Sequence, residues 1–81
     1  MELKDTIEMM QSAEYRERFK AEYQQNKIRT QGLRKMLTQW SHGVLKFDPE
    51  CSEKLLAAQL KAMEAYGAIL EERARIEKIR L

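Results

Sequence analysis

At 81 residues the chain has room for one small domain, and a chain of this size buries only about 60% of its unfolded surface. A single cysteine (Cys51) excludes an intramolecular disulfide, and a single histidine (His42) leaves no zinc ligand set within one chain. With those supplements gone, oligomerisation is the expected support for so small a core, while the net charge of +2 is too low for a strong nucleic-acid field.

Glycine (three) and proline (one) are scarce and strong helix formers dominate, so the predicted fold is all-α. Residues 3–11 form a short amphipathic helix, with Leu3, Ile7 and Met10 expected on one face. Met1-Glu2-Leu3-Lys4-Asp5 is too charged for a secretory signal. Further on, no apolar run nears the ~20 residues that span a bilayer, and a cytoplasmic location is expected.

Ser12 is the expected N-cap of a long helix over about 13–41. Its inward positions run Tyr15, Phe19, Tyr23, Asn26, Thr30, Leu33, Leu37, Trp40, in steps of three and four. The stripe turns polar at Asn26 and Thr30. Residues 23–47 hold no acid, yet they hold Lys27, Arg29, Arg34, Lys35 and Lys46. A seam that becomes polar and cationic in its middle suits an anion held between helices. A buried polar layer that fixes hairpin register is the competing role. Gly32, inside this helix, marks either close approach of another backbone or simple tolerance of a helix-weakening residue.

His42-Gly43 ends the helix, and a loop over about 42–48 follows. Asp48 as N-cap with Pro49 in the first turn starts a second long helix over about 49–79. Its seam reads Leu56, Gln59/Leu60, Met63, Tyr66/Gly67, Leu70, Ala74. A short connection between two such helices makes an antiparallel hairpin. Placing Trp40 opposite Glu50 sets Tyr23 against Gly67, Asn26 against Met63 or Glu64, and Gln59 near Thr30. The polar breaks of both seams then share one level.

Asn26, Thr30 and Gln59 would read the edge of a polar ligand and Lys27 or Arg29 would hold phosphate. The rings of Tyr15 and Tyr23 offer stacking surfaces worth about 1–3 kcal/mol per base. Arg29, Arg34 and Lys35 form a basic patch too sparse to predict nucleic-acid binding. His42 and Cys51 are the one nucleophile–base pair available, and no supporting acid accompanies them, so no catalytic group and no cofactor are expected.

The run Leu55-Leu56-Ala57-Ala58-Gln59-Leu60-Lys61-Ala62-Met63-Glu64-Ala65-Tyr66-Gly67-Ala68-Ile69-Leu70-Glu71-Glu72-Arg73 resembles a family of small bacteriophage proteins related to a crAss-like phage protein. Arg18-Phe19-Lys20-Ala21-Glu22-Tyr23, Lys27, Arg29 and Leu33 fit the same pattern, so the resemblance covers most of residues 15–73. That family is similar to the phage helical-hairpin sponges that counter the CBASS and Thoeris defences. The resemblance implies a homo-oligomer, typically a hexamer, in the host cytoplasm. It would sequester cyclic di- or trinucleotides or cyclic ADP-ribose isomers between protomers, without hydrolysing them. By resemblance, Tyr15 (or Tyr23) is the stacking aromatic and Lys27 the phosphate contact. Gln59 stands where some members carry an arginine for a second ligand class. A helical protein that docks on a host or phage protein, with no small-molecule ligand, is the alternative reading.

Overall fold

The computed structural model describes all 81 residues as helices and connecting turns, with no strand. A 3₁₀ turn (Leu3–Thr6) runs into a one-turn helix α1 (Ile7–Met10), followed by the long α2 (Tyr15–Ser41) and α3 (Glu53–Glu77). The two long helices pack antiparallel into a rod of 43 × 24 × 17 Å. No helix is long and apolar enough to cross a membrane.

The N-terminal segment packs on α2 and does not reach α3. Its least exposed residues are Leu3, Thr6 and Met9; of the expected Leu3, Ile7 and Met10, Ile7 turns outward, while Met10 is about half exposed with its sulfur against Thr6 and Gln25 of α2. The cause is helix type, because a 3₁₀ turn aligns residues three apart. Thr6 is fully buried, its hydroxyl donating to the Leu3 carbonyl (2.7 Å) and accepting from the Gln25 amide (2.9 Å).

α2 starts at Tyr15, with Glu14 in the N-cap position and no side-chain cap. Ser12 lies two residues ahead of that cap: its hydroxyl accepts the Glu14 N–H (3.0 Å), and its carbonyl accepts from Arg18 (2.9 Å). α3 starts four residues later than the Asp48-Pro49 signal implied. Ser52 is its N-cap, with Oγ accepting the Leu55 N–H (3.1 Å), and Glu53 sits in the first turn, where the helix dipole favours an acid. Residues 48–52 instead lengthen the connection.

α3 stops at Glu77 rather than 79. Lys78 adopts the left-handed conformation (φ 58°, ψ 44°), and the Ile79 N–H returns to the Ala74 carbonyl (2.8 Å). That reversal turns Ile79 back into the core beside Phe19, Leu70 and Ala74, with Tyr23 packed alongside. Each large apolar side chain buried there contributes about 1.5–3 kcal/mol.

Only seven of the 81 residues are buried, and the apolar ones among them lie near the termini. Toward the loop the seam residues Leu33, Leu37, Trp40, Leu56 and Leu60 are only half-buried. On the far side of α3, Leu55, Tyr66, Ile69 and Ile76 are exposed. A lone hairpin therefore leaves much of its apolar surface in water.

Candidate functional site

A single cleft of about 290 Å³ opens between the long helices, midway along the hairpin. α2 contributes Tyr23, Asn26, Lys27, Thr30, Gln31 and Arg34, which share one helical face because they recur at three- and four-residue steps. α3 contributes Met63, Glu64, Gly67, Ala68 and Glu71 by the same periodicity.

The cleft exists because the packed seam is interrupted at this level. Asn26 reaches across and donates its side-chain N–H to the Met63 carbonyl (3.1 Å). Gly67 leaves the space for this crossing, since a Cβ built on it would lie 2.9 Å from Asn26 Nδ2. Thr30 is 6% exposed and its hydroxyl donates back to the Asn26 carbonyl (2.6 Å). That local bond satisfies the buried oxygen. Asn26 thus ties the two helices in register, and both Asn26 and Thr30 line the cleft.

Charge is arranged unevenly around the opening. Lys27 is exposed and takes part in none of the ion pairs. Arg34, two turns further along the same face, bonds Glu64 of α3 through one terminal nitrogen (2.7 Å). Tyr23 donates its hydroxyl to Glu71 (2.6 Å), which raises the phenol's pKa by favouring its neutral form, with partial burial acting in the same sense. The free cation, the paired cation and the two carboxylates sum to no net charge. An anion entering this cleft meets one unencumbered positive group, Lys27, together with the side-chain amides of Asn26 and Gln31.

Of the residues expected at a site, Tyr23, Asn26, Lys27 and Thr30 come together here. Tyr15, Arg29 and Gln59 do not. Tyr15 lies at the far end of the hairpin, donating to Glu77 (2.7 Å) and accepting from Arg73 (3.0 Å), edge-on to Phe19. Its pKa is raised, chiefly by that bond to Glu77, and the carboxyl of Glu77 is lowered by the same bond. Arg73 also stands over the Phe19 ring (5.0 Å to its centroid), and Arg16 donates to the carbonyls of Glu77 and Lys78 (3.1 and 3.0 Å). Tyr15 therefore fastens the ends of α2 and α3 together. Arg29 is exposed outside the cleft, and Gln59 turns along its own helix toward the Met63 sulfur (3.7 Å).

Arg34, Gln31, Glu64 and Glu71 line the cleft without having been singled out as site residues. Arg34 was legible: it lies four residues beyond Thr30 and seven beyond Lys27, hence on their face. Glu64 was set opposite Asn26 by the expected register without being read as a site residue, and Glu71 gave no such signal.

Comparison with known proteins gives one match. A family model described as Sequestin covers residues 13–76, the whole cleft included. No curated protein and no solved structure matches the chain.

Proposed function

The chain belongs to the Sequestin family, and from that premise we propose that it is a phage anti-defence sponge: it binds cyclic di- or trinucleotides, or cyclic ADP-ribose isomers, and withholds them without hydrolysis. It acts as a homo-oligomer, of hexameric type, in the cytoplasm of the infected cell. The family's name denotes sequestering, and the ligand class is our own reading. The observation that carries it is Lys27, an exposed, carboxylate-free ammonium at the rim of a polar cleft that also presents Asn26 and Thr30. Phosphate goes to Lys27; the amide of Asn26 and the side chain of Gln31 read a base or ribose edge. Tyr23 supplies the aromatic wall.

Size supports the oligomer. At about 290 Å³ the cleft lies at the small end of the roughly 300–1,000 Å³ usual for small-molecule sites. It is open on one side and suits part of a cyclic dinucleotide, so a second copy completes the enclosure. The half-buried seam and the exposed α3 face supply the apolar surface for that assembly.

Native mass spectrometry of the purified protein, alone and with a panel of cyclic di- and trinucleotides and cyclic ADP-ribose isomers, tests the proposal. A closed oligomer retaining one ligand class at fixed stoichiometry is expected. Lys27→Ala should abolish that retention while the oligomer survives. An oligomer that ignores the whole panel overturns the sponge reading and favours a protein docked on the exposed α3 face.

A further inference from the structure

The two cations of the cleft differ in one respect that bears on how an anion is held. Lys27 is free, whereas Arg34 is already bonded to Glu64. They stand two turns apart on one face of α2, about 10 Å along the axis at 1.5 Å per residue. The Arg34–Glu64 pair bridges α2 to α3 on the loop side of the Asn26–Met63 crossing, and both side chains are about half exposed. It uses a single donor of the guanidinium, leaving four others unused by any bond from this side chain.

We infer that Arg34 is a second anion-binding residue of this cleft, and that Glu64 is a built-in competitor which sets its affinity. An exposed pair of this kind is weak, so a ligand phosphate can take over the guanidinium, which matches phosphate geometry in a two-pronged way that a lysine does not. While Glu64 keeps its charge, it competes with the incoming phosphate for the guanidinium donors of Arg34. In the unliganded protein the same bond holds Arg34 at the mouth of the cleft. The ligand is thus gripped at two points, Lys27 first and Arg34 by exchange. The inference rests on the cleft being the ligand site proposed above.

Isothermal titration of the panel member retained by the wild type, against Glu64→Gln, Arg34→Ala and the double variant, tests it. Glutamine keeps the acceptor and removes the charge. E64Q should bind about threefold tighter or more, in line with the small free energy of an exposed pair. R34A should bind more weakly, and the gain from E64Q should vanish in the R34A background. Unchanged or weaker binding by E64Q overturns the inference and makes Glu64 a reader of ligand donors. A gain that persists without Arg34 overturns it too, since the effect is then one of general charge. If the wild type retains no panel member, the sponge reading falls on its own, and inorganic pyrophosphate becomes the probe. A shift of the Arg34 side-chain NMR signal that is larger in E64Q upholds the exchange, and no shift in either protein ends it. Native mass spectra of each variant confirm that the assembly is intact.

Discussion

Asn26 and Gly67 form one device: the amide of Asn26 crosses to the Met63 carbonyl (3.1 Å) over the space left by the missing side chain of Gly67. A glycine inside a helix costs roughly 1 kcal/mol relative to alanine, and here it places a polar group across an otherwise apolar seam. Gly67→Ala therefore sets two comparable effects against each other. Helix propensity gains about 1 kcal/mol, and displacement of the amide loses a hydrogen bond worth about 1 kcal/mol. Urea denaturation should show stability changed by less than about 1 kcal/mol, while the Kd for a retained cyclic nucleotide rises because the amide is pushed into the cleft. Loss of stability well beyond that would mean the helices meet at Gly67 backbone to backbone.

The tyrosine–carboxylate bonds give an alkaline signature. Tyr23 has its pKa raised above the ordinary value near 10 by the bond to Glu71. The neutral phenol is the favoured form in the folded chain, so this contribution is fully present below pH 10 and is lost as pH rises through the raised folded value. Tyr23→Phe should cost about 1 kcal/mol at pH 7. The gap between variant and wild type should close above pH 10, as followed by denaturation at several pH values. A gap that stays the same above pH 10 would show that the hydroxyl acts through something other than its protonated bond to Glu71. Glu77 behaves in the opposite sense: the bond from Tyr15 lowers its pKa, so its contribution is present above the ordinary carboxylate range and is lost as pH falls through the lowered value.

How far the sequence carried these conclusions depended on whether a feature was local. Helix periodicity and the Asn26/Thr30 break lie within one helix, and they placed four cleft residues on one face of α2. Features that span the hairpin depended on where α3 begins. Asp48-Pro49 is a strong local start signal, yet Ser52 sits closer to the apolar run at Leu55 and Leu56 and takes the cap. Asn26 meets Met63 as the expected register had it, while the Tyr23 hydroxyl reaches Glu71, one turn beyond Gly67, and Gly67 makes room for the Asn26 amide. Gln59 falls outside the cleft, turned along its own helix toward Met63. Tyr15 followed the seam as expected, but its partners Arg73 and Glu77 lie about sixty residues away, beyond the reach of spacing alone. Gly32 has nothing within 4 Å of an added Cβ, so no close approach within the chain explains it.

The C-terminal reversal offers a stabilising change. Lys78 is a non-glycine residue at φ 58°, a conformation that costs roughly 1–2 kcal/mol for a residue bearing a Cβ. It is held there by the Ile79-to-Ala74 bond and by Arg16, which collects the two terminal carbonyls. Lys78→Gly removes the strain but also one favourable cation at the helix end, worth about 0.3–1 kcal/mol. A net gain of about 0.5–1 kcal/mol is expected, seen as a rise in Tm, whereas Lys78→Val should lower it. A fall in Tm for the glycine variant would show that the lysine side chain itself holds a neighbour.

The exposed face of α3 carries the last expectation. Leu55, Ala62, Ile69 and Ile76 recur every seven residues, flanked by Ala58, Ala65 and Tyr66, and this face points away from α2. A seven-residue apolar repeat on the open side of a helix suits the helix–helix contact of the proposed oligomer, and its alanines would permit close approach. Ile69 is 57% exposed in the single chain, so a charge there harms the isolated hairpin little. Burying it against another copy is worth about 1.5–3 kcal/mol, which a carboxylate forfeits while adding a desolvation cost. Ile69→Glu should therefore shift native mass spectra from the assembly to single chains and reduce helicity by circular dichroism, because so few residues of a lone hairpin are buried. The control is Arg75→Glu, on a more exposed flank of the same helix and paired only with Glu72, which should leave the assembly in place. If Ile69→Glu leaves the assembly unchanged, this face of α3 is not where the proposed copies meet.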